Sequence, residues 1–234
     1  MKKTMRKIII SVIIVVKNGE RYLSKAIESV INQTYPPDEI LVVNGDSTDS
    51  TAQIAKSYKN VRYLHQQGKG LANARNTGIH NARGELIAFL DHDDYWTLDK
   101  LEVQINHFIN SPDIQYSYAN VKLFLEPGCE LRSGFRQQQF EEEQVGRTPG
   151  TLVVRKSLFD QIGKFNPSFA IGCDVDWFTR TKDYNIKAVF LPQVLLYKRV
   201  HDYNLSKNVK TNKEELLKVI KQSLERQRQL TRVQ

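Results

Sequence analysis

Residues 84–96 read Gly-Glu-Leu-Ile-Ala-Phe-Leu-Asp-His-Asp-Asp-Tyr-Trp. Leu86 to Leu90 is an apolar run of the length expected for a buried parallel strand. It ends in three carboxylates, Asp91, Asp93 and Asp94. Carboxylates repel one another and resist burial, so three at a strand end call for a compensating cation. Ligands of open α/β sheets sit beyond the carboxyl ends of strands. Mg²⁺ or Mn²⁺ is the hard cation that bridges such carboxylates to substrate phosphates. The competing reading is a helix start, with Thr97 and Asp99 opening the helix that follows. A cap, however, needs one Asp rather than three.

Upstream, Ile8 to Val16 is β-branched and nearly continuous, as in an inner parallel strand. Asn18-Gly19 breaks it. Tyr22, Leu23, Ala26, Ile27, Val30 and Ile31 then recur at helical spacing until Pro36-Pro37. Glu39 to Val43 is a second strand. It runs into the polar turn Asn44 to Asp49 and a helix through about Tyr58. Val61 to Leu64 is a third strand. Gly68-Lys69-Gly70 opens a helix carrying Leu71, Ala72, Ala74, Arg75 and Asn76 and ending near Gly78. This start is either a phosphate cradle or a flexible loop. Strand and helix in alternation predict a mainly parallel sheet flanked by helices, with right-handed crossovers.

Downstream, Leu101, Val103, Ile105 and Phe108 mark a helix, and Ile114 to Leu125 a long strand or strand pair. Glu126 to Gly146 loses periodicity and reads as a mobile loop or insertion. Thr151 to Val154 is a short strand, Lys156 to Ile162 a short helix stopped by Gly163. Cys173 to Arg180 begins a helix with acids in its first turn, as the dipole prefers. Ala188 to Leu191 and Val194 to Val200 read as final strands. From Lys213 an amphipathic helix carries Leu216, Leu217, Ile220 and Leu224 on one face. It is either docked on the domain or a basic membrane-surface or partner helix.

The chain has 234 residues and a net charge of +8, with a pI near 9.4. That balance suits phosphate-bearing partners or anionic membranes, although much of the excess lies at the two ends. No base-reading motif points to nucleic acid. Two cysteines, Cys129 and Cys173, make no disulfide framework and imply reduced thiols. Lys2, Lys3, Arg6 and Lys7 before Ile8 to Val16 imitate a signal peptide, but Lys17-Asn18-Gly19-Glu20 follows instead of a small-residue cleavage site. The expectation is a cytoplasmic protein, with peripheral contact at the inner face of the membrane as its extension.

With these residues in place, the order of motifs resembles an inverting glycosyltransferase of family 2 with the GT-A fold, a Rossmann-like mixed sheet. Gln33-Thr34-Tyr35-Pro36 closes the first helix as in that family, and Asn44 to Asp49 resembles its acidic turn. Ala74-Arg75-Asn76-Thr77-Gly78 is similar to its Ala-Arg-Asn-Xaa-Gly helix, and Asp91-His92-Asp93-Asp94 to its Asp-Xaa-Asp motif. Gly163-Lys164-Phe165 and Asp174-Val175-Asp176 resemble its Gly-Gly-Phe and Glu-Asp-Xaa-Asp segments. The likeness covers roughly residues 8–206.

The resemblance implies transfer of a sugar from a nucleotide-diphosphate donor, UDP-linked by default, to a hydroxyl of a carbohydrate or lipid-linked acceptor in polysaccharide or glycolipid assembly. It implies donor contacts at Val15, Val16, Lys17, Asn18, Glu20, Asn44, Asp46, Arg75, Asp91 and His92. Mn²⁺ or Mg²⁺ would be held at Asp91, Asp93 and His201, with Asp91 alternatively on the ribose or a metal-bound water. Asn204 and Ser206 complete the late His segment. Asp174 would be the base, with a dipole-stabilised helix acid as its rival reading, and Asp176 and Arg180 would support it. Arg75 would approach the diphosphate or orient the carboxylates. Trp96 and Trp177 are candidates for stacking on sugars or for core packing.

Three departures stand out. Val15-Val16-Lys17-Asn18 replaces the family's Pro-Thr-Tyr-Asn, removing a Thr contact at Val16. Asn44-Gly45 replaces an acidic pair, so an amide would read the base edge with donor and acceptor. Cys173 replaces a Glu beside the base. Residues 1–110 are expected to hold the donor and 111–206 the acceptor, with 126–148 setting acceptor choice and 207–234 an accessory helix. The rivals are a noncatalytic nucleotide-sugar scaffold on the same fold and a nucleotidyltransferase, for which Lys17 to Glu20 is a poor phosphate loop.

Overall fold

The structure is a computed structural model that describes residues 7–131, 136–205 and 209–233. Lys2, Lys3, Arg6 and Ser206, discussed above, lie outside the described residues. β1 (Ile10–Val16), β2 (Glu39–Asn44), β3 (Val61–His65) and β4 (Leu86–Asp91) alternate with α1 (Leu23–Ile31), α2 (Thr51–Ser57) and α3 (Leu71–Asn81). The second half holds β5 (Tyr95–Trp96), α4 (Lys100–Asn110), β6 (Tyr116–Leu125), α5 (Gln138–Glu141), β7 (Gln144–Val145) and β8 (Val153–Arg155). α6 (Lys156–Ile162), α7 (Cys173–Asp183), β9 (Ala188–Val200) and α8 (Val209–Val233) complete it.

The strands form one sheet in the order β3-β2-β1-β4-β8-β6-β9-β5, with β7 on β6. It is parallel across β3, β2, β1 and β4 and again between β6 and β9. β8 pairs antiparallel with both β4 and β6, and so joins the two parallel parts. Ile10, Val12 and Ile14 pack with Leu23, Ile27 and Val30 of α1 and Leu101 and Ile105 of α4. Ile13, Val15, Ile87 and Phe89 face the other way, onto α3, α6 and α7. Both strand faces are therefore covered, which is why β1 reads as a continuous apolar run. Each fully buried Leu or Ile contributes about 1.5–3 kcal/mol.

Four expectations change. Thr151 lies in a 3₁₀ turn, Pro149–Thr151, and β8 begins only at Val153. The two final strands are one, β9, whose register on β6 jumps from Ala119↔Leu191 to Asn120↔Val194. The Asn120 side-chain amide donates to the Pro192 carbonyl at 2.9 Å and seals that irregularity. The 126–146 region is ordered locally where it is described, since β7 pairs with β6 and Glu126 is buried. Finally, α8 docks by an unexpected face. Glu215, Val219 and Ser223 are buried, whereas Leu216, Leu217, Ile220 and Leu224 are exposed. No described helix is long and apolar enough to cross a membrane.

One core residue carries a prediction. Lys100 is fully buried, its ammonium 4.2 Å from the Trp96 ring centroid and donating to Gln104 Oε1. Among the described residues it has no carboxylate partner, and burial holds its pKa well below the ordinary lysine value. The unfolded chain therefore binds more protons than the folded one, so this group makes stability rise with pH up to about 10.4. Lys100→Met is expected to raise stability at neutral pH by at least about 1 kcal/mol. It should also flatten the rise on the alkaline side, read by urea unfolding across pH.

Candidate active site

β5 pairs antiparallel with the middle of β9, Tyr95 opposite Tyr197 and Trp96 opposite Leu196. This pairing brings the Asp91–Asp94 turn against Lys198, Arg199 and His201. The turn closes on itself, Asp94 N–H donating to the Asp91 carbonyl at 3.1 Å. The Arg199 backbone N–H donates to Asp94 Oδ1 at 2.8 Å, and its Nε donates to the Asp93 carbonyl at 2.9 Å. The Arg199 guanidinium lies between the Tyr22 and Phe124 rings, 4.5 and 4.6 Å from their centroids. It also pairs with buried Glu126, which Arg21 reaches at 2.8 Å.

The carboxylates have separate partners. Asp91 Oδ1 accepts from Arg75 Nη2 at 3.0 Å. Asp93 Oδ2 lies 3.0 Å from His201 Nε2 and accepts from Asn204 Nδ2 at 3.1 Å. His201 Nδ1 accepts the Tyr203 backbone N–H at 3.1 Å, so the neutral ring carries its proton on Nε2, aimed at Asp93. Asp94 is buried, with Lys198 Nζ 3.4 Å from Oδ2. Burial acts to raise the Asp93 carboxyl, but the His201 hydrogen bond and the charges of His92 and Lys198 pull it below the usual range. Asp94 is pushed up, foremost by burial, against the pull of Lys198. Lys198 is held charged by Asp94 first and then by Asp91, Asp93 and Asp174. It is a cation in the middle of the acidic cluster.

Asp174 occupies the first turn of α7 and is half-buried. Burial raises its pKa, Arg75 opposes that and Asp91 adds to it. Arg75 is 2% exposed. Besides Asp91 it reaches Cys173 Sγ at 3.4 Å, lies 5.4 Å from the Phe165 ring centroid, and its Nε has no partner among the described residues. It is thus no surface arginine; it holds the Asp91 carboxylate at the strand end by a hydrogen bond and acts on Asp174 at the helix start by charge alone. Burial pushes the Cys173 thiol up to about 11, so this residue stays neutral beside Asp174.

The motif residues around Arg75 are structural. Asn76 donates to the Phe165 carbonyl at 2.8 Å and accepts from the Phe165 N–H at 3.1 Å. A Cβ on Gly78 would lie 2.4 Å from Ile13 Cγ2, so only glycine lets α3 approach β1. Arg180 pairs with Asp176 at 3.0 Å and donates to the carbonyls of Gly163 and Lys164 at 2.9 and 2.6 Å. Asp176 and Arg180 pair with each other.

Several expected ligand contacts are spent elsewhere. Asn44 is buried; its amide donates to Tyr63 at 2.8 Å and accepts from the Ser47 N–H and hydroxyl. These bonds fill the carbonyl oxygen and leave a base at most one amide hydrogen of a buried side chain. Asn18, at φ 51°, accepts from the Thr48 N–H, and Glu20 from the Ser50 N–H. These two tie the β1 and β2 loops together. Val15 and Val16 are buried core residues, so only their backbone could meet a ligand. Lys17 and Asp46 are exposed at the strand mouths, and Asp46 is the carboxylate left open there. His92 lies over Gly19, whose Cβ would stand 2.4 Å from His92 Cδ2. The Gly68-Lys69-Gly70 segment is closed on itself, Gln66 Nε2 donating to the Gly68 and Gly70 carbonyls. Trp177 is fully buried and Trp96 is 3% exposed. Core packing is the outcome for both, and neither can stack on a sugar.

Of the expected metal ligands, Asp93 and His201 come together and Asp91 turns to Arg75. No group of three or more His, Cys, Asp or Glu among the described residues is arranged as a ligand set. Asp93 can take one position of a Mg²⁺ or Mn²⁺ shell as it stands, whereas His201 could join it only with its proton moved from Nε2 to Nδ1, the remaining positions being left for phosphate oxygens and water. Sequence reasoning missed Lys198, Arg199 and Glu126. The available signal was the adjacent pair Lys198-Arg199 inside an apolar strand.

Comparison with known proteins follows the same lines. Residues 11–165 match the sequence model of Glycosyl transferase family 2. An uncharacterized glycosyltransferase of Rickettsia prowazekii is 32% identical over 216 residues, covering 86% of this chain and 67% of that protein. An Escherichia coli protein named UDP-Glc:alpha-D-GlcNAc-diphosphoundecaprenol beta-1,3-glucosyltransferase is 37% identical over 118 residues, 49% of this chain and 46% of that one. The crystal structure of S. aureus TarS 1-349 in complex with UDP-GlcNAc superposes with a TM-score of 0.67 at 23% identity, covering 86% of this chain and 61% of that 1-349 chain. This chain is thus shorter than the relatives it matches. The fold is GT-A, and the chain is a glycosyltransferase belonging to glycosyl transferase family 2.

Proposed function

We propose that the chain moves a sugar from a nucleoside diphosphate donor, UDP-linked by default, to an acceptor hydroxyl with inversion at the anomeric carbon. The observation that carries this reading is one half-buried carboxylate, Asp174, facing a separate acidic turn through the cations Arg75 and Lys198. Asp174 takes the proton of the attacking hydroxyl, and its raised pKa brings it nearer the strength a base needs. A single base on the face opposite the leaving group inverts the centre, as in one-step displacement at glycosides. Arg75 holds Asp91 in place. Lys198 supplies positive charge where the leaving diphosphate gathers negative charge. A divalent cation on Asp93 and His201 would supply further neutralisation of that diphosphate. UDP and UDP-GlcNAc in the TarS complexes and the UDP-glucose and diphosphate-lipid acceptor in the name of the E. coli relative support the donor and acceptor classes.

The acceptor is proposed to be lipid-linked, with α8 lying on the membrane. Leu216, Leu217, Ile220 and Leu224 are exposed. Lys213, Lys221 and Arg228 stand three or four residues from them, on the same side of the helix. An apolar stripe edged by cations fits an anionic bilayer. Sedimentation with phosphatidylglycerol vesicles but not phosphatidylcholine vesicles is expected, and equal recovery with both overturns this part.

Donor hydrolysis and binding across a panel of nucleotide sugars, with Mn²⁺, Mg²⁺ or EDTA, test the whole. One donor should be hydrolysed slowly in a metal-dependent way. Asp93→Ala should weaken donor binding in Mn²⁺ by about tenfold or more and leave EDTA binding unchanged. Wild type that binds the donor equally well in Mn²⁺ and in EDTA, or Asp93→Ala that binds it in Mn²⁺ as well as wild type does, overturns the metal assignment. Binding without turnover in the presence of lipid-linked acceptors leaves the noncatalytic scaffold.

A further inference from the structure

We infer that Glu215, on the C-terminal helix, is a positioning residue for the transfer reaction: it caps the helix that carries Asp174 and sets where that carboxylate stands. This rests on the reading of Asp174 as the base. α7 has no cap of its own, because its N-cap is Gly172 and no side chain bonds there from that position. Three consecutive backbone N–H groups, those of Ala170, Ile171 and Gly172, donate instead to the Glu215 carboxylate, at 2.6, 3.0 and 2.7 Å. Such a run of amides at a helix start is an anion cradle, and here the anion comes from α8. Glu215 is 6% exposed. Burial acts to raise its pKa, yet the three donors lower it overall, so the carboxylate remains ionised and the cap remains formed.

Asp174 follows Gly172 by two residues. Among the described residues its carboxylate makes one hydrogen bond, to the neighbouring Val175 N–H at 2.8 Å. Its place is therefore set by the backbone of the first turn and by whatever holds residues 170–172. α8 grips α7 a second time at the far end, where Asp183 accepts from Ser223, Arg226 and Gln227 at 2.7, 2.9 and 3.0 Å. Val219 packs between the two grips, in the cluster of Cys173 and Trp177. Arg226 of the second grip also comes within 3.9 Å of Asp176; of the two hydrogen-bonded grips, the one at Glu215 lies at the Asp174 end.

The experiment compares Glu215→Ala, Glu215→Gln and Asp183→Asn in the full chain, reading kcat and donor KM, melting temperature and amide exchange at 170–172. Glu215→Ala is expected to lower kcat about 10- to 100-fold, with donor KM within about twofold of wild type and faster exchange at 170–172. Glu215→Gln keeps an acceptor oxygen in place and should recover part of the loss. Asp183→Asn should lower the melting temperature and leave kcat unchanged. If Glu215→Ala is folded and keeps wild-type kcat, or if Asp183→Asn loses kcat in proportion to melting temperature as Glu215→Ala does, the inference is overturned. A wild type that turns over no donor overturns the function proposed above instead, and the exchange at 170–172 still reports whether Glu215 holds the cap.

Discussion

Asp174→Asn is expected to lower turnover about 10²- to 10⁴-fold while donor affinity stays within about twofold. The amide keeps the shape of the carboxylate and cannot take a proton. The group must be ionised to act, so wild-type activity should rise with pH through a value above the ordinary aspartate range near 3.9, as burial raises this carboxyl. The same shift has a stability sign. A carboxyl with a raised folded pKa binds more protons folded than unfolded, so stability falls as pH rises through that window. Asp174→Asn removes the penalty and should hold or raise the melting temperature at neutral pH. A variant that loses activity together with stability would show that Asp174 is a helix-start acid serving the dipole, and not the base.

The largest loss of stability is expected at Trp177. Its indole is fully buried, with the rings of Phe159, Phe178, Tyr116 and Phe165 at centroid distances of 5.4, 5.4, 5.8 and 6.0 Å. Truncation to Ala should cost about 3–5 kcal/mol, seen as a lower urea midpoint at unchanged slope. Its Nε1–H has no partner among the described residues. Trp177→Phe removes that unsatisfied donor and keeps most of the packing, so it should cost less than about 1.5 kcal/mol. Were Trp177 a sugar platform, Ala would weaken donor binding at near-native stability; the burial forbids that outcome.

The alternation of strand and helix from Ile8 to Trp96 was legible because β1, β2 and β4 are buried on both faces and α1 buries one face, Leu23, Ala26, Ile27 and Val30. Those periodicities survive in a single sequence. β9 was split in two by the break at Pro192, and its continuity shows only in the pairing with β6 on both sides of that break, with the Asn120 amide on the Pro192 carbonyl. The apolar stripe of α8 was legible, and its docking face was not. That face is made of Glu215, Ser223, Arg226 and Gln227, polar residues whose partners are backbone amides and Asp183 far away in sequence.

At the site, Asp91 and Asp93 could be singled out because charge at the end of an apolar run is costly unless it is used, and Asp174, Arg75 and His201 through the resemblance of their motifs to family 2 glycosyltransferases. Their grouping could not. Asn44 has the right chemistry to read a base, yet Tyr63 and Ser47 engage both ends of its buried side chain. Lys198 looked like an ordinary strand residue, yet the pairing of β5 with β9 sets it among four carboxylates. The sequence by itself determined which residue types stand at the ends of which elements, because helix and strand periods are local properties of the chain. Only the tertiary structure decided which of those residues keep a free hydrogen-bonding edge, because that depends on partners brought together by sheet order across a hundred residues.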